Sequence, residues 1–197
     1  DGYYNGIENP SFEYWINSTE KYINASSTDR IYGWAVSQIT GAEGWISRSV
    51  DAHEGSYSMN ITGNKSTHFY VVNFFEGTQT IRTENNSNYT ASYWIKGNGT
   101  FSMRFRYTAQ SGTPTCGSSI AKTINFTDGW QQINLSCNVS IGNLTNTLDV
   151  IVLDGVGPNE TVLIDDFSMT RNGQPFNWWY NGDTSGKESQ LDWDLQN

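Results

Sequence analysis

"NYTASYWIKGNGTFSMRFRYTA", residues 88–109, decides the fold class. Tyr89, Ala91, Tyr93 and Ile95 fall on one side of an extended chain, and so do Phe101, Met103, Phe105 and Tyr107. A period of two with aromatic and branched residues is the signature of a half-buried strand. Between the two runs stands Gly97-Asn98-Gly99, which predicts the three-residue loop of a hairpin. In that register Tyr93 faces Met103 and Ile95 faces Phe101, so the apolar faces coincide; a two-residue loop would set them on opposite sides. The same register sends Trp94 and Ser92 outward with Ser102, Arg104 and Arg106, Trp94 lying diagonal to Arg104.

The pattern repeats outward from this stretch. "NPSFEYW" (9–15), "GWAVSQIT" and "EGWISRSV" (33–50), "EGSYSMNIT" (54–62), "HFYVVNFFEG" (68–77), "WQQINLSCNVSI" (130–141), "NTLDVIVLDG" (146–155) and "ETVLIDDFSMTR" (160–171) each read as a short strand between turns. No amphipathic helix of useful length interrupts them. Many short strands predict an all-β sandwich or jelly roll over residues 1–171. Residues 172–197 differ: "NGQPFNWWYNG" is an aromatic loop, "DTSGKES" a polar spacer, and "QLDWDLQN" a terminal strand carrying Leu191, Trp193 and Leu195 on one face.

Composition excludes several classes of function. The net charge of −9 repels phosphate backbones and anionic membranes, so nucleic acid is not an expected partner. No run of about 20 apolar residues exists to span a bilayer. The motif Asn-x-Ser/Thr occurs at Asn17, Asn24, Asn60, Asn64, Asn85, Asn88, Asn98, Asn125, Asn134, Asn138, Asn143 and Asn159. With 41 serines and threonines among 197 residues, 21 asparagines would give about four such sites by chance, so twelve is an excess. This predicts an N-glycosylated extracellular protein whose leader has been removed before Asp1, and each glycan must face solvent. In an oxidising compartment Cys116 and Cys137 read as one disulfide, contributing roughly 3 kcal/mol on the chain-entropy estimate. In "INLSCNVSI", Asn134 and Asn138 project from the same face, which would encumber a long polysaccharide lying there.

"NPSFE", "DAHEGSYSMNI", "YTASYWIKG", "TDGWQQINLS" and "VLIDDFSM" follow one another in an order that resembles the galactose-binding-like β-jelly rolls, and among them the carbohydrate-binding modules of families 4, 9 and 22, over about residues 7–170. The resemblance implies a structural calcium tying the first strand to the last. Carried over by position, its ligands are Glu13, Asp165 or Asp166, and backbone oxygens from His53 to Ser56, with Asn9 and Asp51 as weaker candidates. Calcium takes six to eight oxygens, which carboxylates from both ends of a sandwich can supply. The plainer reading of Glu13 and the Asp pair is solvent-facing strand-edge groups.

Catalysis is not expected. Asp165 and Asp166 are adjacent on a strand and so point to opposite faces, whereas a glycosidase pair must converge across one cleft. His53 reads as a turn residue and His68 as a strand start, and no nucleophile motif accompanies them. Two functions remain. The first is a calcium-stabilised, N-glycosylated structural subunit of a surface filament or layer. Copies of the chain would join by adding Leu191, Trp193 and Leu195 to a neighbour's sheet. The alternative is a carbohydrate-binding module using Trp94, Arg104 and Arg106, although a cation–π pair covering the sheet would look the same in sequence.

Overall fold

The computed structural model describes residues 12, 20–23, 30–31, 34–38, 43–65, 69–73, 81–82, 84–108, 120–139 and 147–175. Among the described residues there are thirteen strands: β1 (Glu20–Ile23), β2 (Arg30–Ile31), β3 (Trp34–Gln38), β4 (Glu43–Ser49), β5 (Ser58–Lys65), β6 (Phe69–Asn73), β7 (Ile81–Arg82), β8 (Ser87–Thr108), β9 (Ile120–Ile124), β10 (Gln131–Val139), β11 (Thr147–Asp154), β12 (Thr161–Arg171) and β13 (Gln174–Pro175). The one helical element among the described residues is a 3-10 turn, Phe126–Asp128. Every pairing between these described strands is antiparallel. The chain is a β-jelly roll of two sheets. The first runs β1-β4-β5-β12-β8-β10, the second β2-β3-β6-β11-β8-β9.

β8 belongs to both sheets, and this corrects the hairpin expected at residues 88–109. It is one strand of 22 residues. Its first half, Ser87–Asn98, pairs with β10 and β12; its second half, Gly99–Thr108, pairs with β9 and β11. Tyr89, Ala91, Tyr93, Ile95, Phe101, Met103 and Phe105 all face the core, because odd-numbered residues keep one side along the whole strand. Gly97 and Gly99 mark the crossing between sheets rather than a loop. A Cβ on Gly97 would stand 2.2 Å from the Thr161 carbonyl oxygen, and Gly99 has φ 145°. A bare backbone lets β12 approach there and lets the strand turn the corner.

The core gathers Ile46, Met59, Ile61, Ile133, Leu135, Val162, Ile164 and Met169 of the first sheet and Ile124 of the second around the β8 residues, which run through both. Tyr93 and Phe167 stack within it, ring centroids 5.8 Å apart. Phe12 of the "SFE" segment is fully buried in this cluster. β10 alternates as the sequence predicts: Ile133, Leu135, Cys137 and Val139 are buried, while Gln132, Asn134, Ser136 and Asn138 are exposed. Cys137 is disulfide-bonded; the sequence holds one other cysteine, Cys116, outside the described residues. Immediately after residue 171, Asn172-Gly173 turn the chain so that β13 pairs back onto the end of β12. The rest of the aromatic loop, the spacer, and Leu191, Trp193 and Leu195 lie outside the described residues.

Candidate functional site

Register fixes what shares the outer face of the first sheet. Trp94 stands opposite Gln132 on one side and Asp165 on the other; Ser92 stands opposite Asn134 and Ser168. Directly opposed residues share a face. Small polar groups link across it, Gln132 Nε2 donating to Ser92 Oγ at 2.9 Å and Thr90 Oγ1 lying 3.3 Å from Ser136 Oγ.

The β4–β5 loop folds onto this face. Its base is closed by the Ser58 hydroxyl donating to the Asp51 carbonyl at 2.7 Å and the Asp51 N–H donating to Ser49 Oγ at 3.0 Å. Gly55, at φ 68°, makes the reversal that a side chain would resist. The loop then reaches across β12 to β8. Lys96 Nζ meets Asp51 Oδ2 at 2.6 Å, and the His53 ring stacks on Trp94 with centroids 3.9 Å apart and planes 13° apart. Trp130, just before β10, meets the same imidazole edge-on at 6.0 Å, and Lys96 Nζ lies 6.0 Å from the Trp130 ring centre.

Beneath the loop is a carboxylate knot. A β-bulge shifts the β12–β8 register between Asp165 and Ser168, and Asp166 takes φ 47° there. The bulge corrects the expectation that Asp165 and Asp166 point apart: both reach His53. Asp165 Oδ2 accepts the His53 N–H at 2.7 Å and the Glu54 N–H at 3.4 Å, while Asp166 Oδ2 lies 2.6 Å from His53 Nδ1. Asp165 Oδ1 accepts the Asp166 N–H at 2.8 Å. Asp165 is fully buried, and burial pushes its pKa up to about 6. The His53 N–H opposes that rise, and the nearby Asp166 charge adds to it.

The metal candidates separate accordingly. His53, Glu54 and Asp166 offer ligand atoms within 4.8 Å of one another. Two buried or half-buried carboxylates side by side suit a divalent cation in charge, and Glu54 could add a third. His53 Nδ1 is a nitrogen and suits calcium poorly. Asp51 spends its carboxylate on Lys96, Ser56 is exposed, and Asn9 and Glu13 lie outside the described residues.

The sugar candidates separate too. Trp94 is half-buried with one ring face against His53, not an open platform. Arg104 and Arg106 are not its neighbours, because no hairpin brings them back. They sit on the part of β8 that pairs with β11, opposite Ile151 and Asp149. Ten residues separate Trp94 from Arg104, roughly 33 Å along a strand. Trp130 and Lys96 take their place. The signal for Trp130 was its parity with Gln132 and Asn134, which places it on the outward side of the run it precedes. Among the glycosylation motifs, Asn64, Asn85, Asn88, Asn98, Asn125, Asn134, Asn138 and Asn159 are exposed. Asn60 is half-buried and donates from Nδ2 to Ser47 Oγ at 2.9 Å. Asn17, Asn24, Asn143 and His68 lie outside the described residues.

No protein-family model matches the sequence, and no curated protein matches it. Solved structures do. A cyclase from Fischerella sp. TAU is 12% identical with a TM-score of 0.54, over 86% of this chain and 97% of that one. An arabinose-bound α-L-arabinofuranosidase, MgGH51, is 17% identical with a TM-score of 0.53, over 84% of this chain and 26% of that one. The carbohydrate-binding module TmCBM61, solved with β-1,4-galactotriose, is 18% identical with a TM-score of 0.49, over 85% of this chain and 99% of that one. The first two carry the conclusion that the chain has the jelly-roll fold implied by its five motifs. The fold also houses enzymes, so it does not by itself fix an activity. No helix among the described residues is long and apolar enough to cross a membrane.

Proposed function

We propose that the chain is a non-catalytic carbohydrate-binding module whose site is the outer face around Trp94 and Trp130. The observation that carries this reading is the pairing of two half-exposed indoles around His53 with Lys96, Gln132 and Ser92 beside them. Sugar rings stack on indole faces, and amide, hydroxyl and ammonium groups bind their hydroxyls. A domain of this fold within an arabinose-bound arabinofuranosidase agrees with the reading. The non-catalytic part rests on Asp165, whose carboxylate is buried and engaged by three N–H groups. Affinity electrophoresis and calorimetry with L-arabinose, arabinan, β-1,4-galactotriose and β-1,4-galactan test it. Trp130→Ala should weaken binding at least tenfold, about 1.4 kcal/mol. Absence of binding to the whole panel, or an unchanged affinity in Trp130→Ala, overturns it.

The proposal includes a calcium ion at Asp165, Asp166 and Glu13, supported by the buried Asp165 carboxyl lying beside the half-buried Asp166 beneath the loop. It also includes secretion and N-glycosylation, supported by the disulfide at Cys137 and eight exposed acceptor asparagines. Those asparagines favour a second reading, a glycosylated subunit of a surface assembly joined through Leu191, Trp193 and Leu195. Light scattering of the glycoprotein with and without residues 187–197 decides it: oligomers that vanish on truncation support the joint, and monomers in both samples exclude it.

A further inference from the structure

The proposed sugar face is bounded on three sides. Along β8, the outward residues run Asn88, Thr90, Ser92, Trp94, Lys96, Asn98; beside them on β10 run Asn138, Ser136, Asn134 and Gln132, with Trp130 continuing the row. Trp94, Lys96, Gln132 and Trp130 therefore form a patch with a glycosylation motif at each end of the strand direction. Asn134 is the diagonal cross-strand neighbour of Trp94, about 7–8 Å away. Asn98 is four residues past Trp94 on the same face, about 13 Å along the strand, with only Lys96 between. Both asparagines are exposed. The third side is closed by the β4–β5 loop through the Asp51–Lys96 and His53–Trp94 contacts. The fourth side is the β10 edge, where β10 has one neighbour, β8, among the described residues.

We infer that the chain's own N-glycans at Asn98 and Asn134 fence this patch, so that it takes chain ends and short oligosaccharides and rejects the interior of a polymer. The inference rests on the reading of the patch as a sugar site. A polymer bound along its middle needs two exits. Along the strands both exits meet a glycan, and across them one exit meets the loop. A chain end entering over β10 needs none. The fence is covalent, so the specificity of the patch is set by whether Asn98 and Asn134 carry glycans.

The experiment compares the secreted glycoprotein, the same protein trimmed to single sugars by an endoglycosidase, and the variant Asn98→Gln/Asn134→Gln, with β-1,4-galactotriose and β-1,4-galactan as probes. Trimming guards against a variant that folds poorly. The expected result is trisaccharide binding by all three forms within twofold, and galactan binding that rises at least tenfold in the trimmed protein and the variant. Equal galactan binding by all three forms overturns the fence and leaves the sugar site standing. Unmodified Asn98 and Asn134 in peptide mass spectra overturn it as well. If no form binds either probe while Trp130→Ala abolishes binding to another sugar of the panel, the comparison moves to that sugar and its polymer, with the same outcomes deciding. If no form binds any sugar, the functional reading falls and the fence falls with it.

Discussion

Asp165 is the residue on which the site turns. It has no exposed surface, and it holds the β4–β5 loop through the His53 and Glu54 N–H groups. Its pKa is raised from 3.8 to about 6, mainly by desolvation. A raised carboxyl stabilises the fold fully below its unfolded value and loses that contribution as pH climbs through its folded value. In metal-free buffer with chelator, the protein should therefore lose about 3 kcal/mol from this group between pH 3 and pH 7. Urea unfolding of wild type against Asp165→Asn isolates it: the difference between them should shift towards the variant as pH rises. A constant difference would show that Asp165 ionises freely in the fold. Asn60 makes a second prediction at this scale. Its Oδ1 is buried and its Nδ2 is bonded to Ser47, so a glycan there would have to leave through a half-buried site and compete with that hydrogen bond. Peptide mapping should find Asn60 unmodified while Asn134 and Asn138 carry sugar; a glycan on Asn60 would require a different β4–β5 contact.

At the scale of elements, β8 explains both what the sequence made legible and what it concealed. Period two correctly marked Tyr89 to Ile95 and Phe101 to Phe105 as core-facing. That information is identical for a hairpin with a three-residue loop and for one uninterrupted strand, because both keep odd residues on the same side. Gly97-Asn98-Gly99 looked like a turn, since a turn and a sheet-to-sheet corner both select residues lacking a Cβ. The choice between them lies in β12, a distant partner that no local pattern reveals. The site shares this ambiguity: period two turns Trp94 outward in either arrangement, while Arg104 and Arg106 come beside it only in a hairpin. The Asp165–Asp166 bulge was hidden similarly, because strand alternation cannot anticipate a register shift. The corner makes a direct prediction. Gly97→Ala would place a methyl 2.2 Å from the Thr161 oxygen and 2.8 Å from the Val162 Cα, backbone atoms that cannot swing away. It should cost about 1–3 kcal/mol, read as a lower urea midpoint with unchanged slope. A wild-type midpoint would mean that β12 does not approach β8 so closely.

For the whole molecule, something must balance the charge of an acidic jelly roll that sets a buried and a half-buried carboxylate side by side at a loop junction. The net charge is −9, so any divalent cation will stabilise the fold weakly by screening self-repulsion. A specific ion behaves differently, because it binds the folded chain alone and saturates. At a free concentration of 100 times its dissociation constant it adds about 2.7 kcal/mol, which for a chain of this size raises Tm by roughly 5–11 °C. Calcium titrated into chelator-treated protein should follow that saturating curve. Magnesium at equal concentration should not, because it demands tighter octahedral geometry and keeps its waters. Glu13→Gln and Asp165→Asn should each flatten the calcium curve while leaving the magnesium response intact, since screening depends on total charge and not on these two groups. A calcium response that never saturates, or one shared equally by magnesium, would mean that charge screening alone is at work. The β4–β5 loop would then be held by the Asp165 and Asp166 hydrogen bonds without a metal.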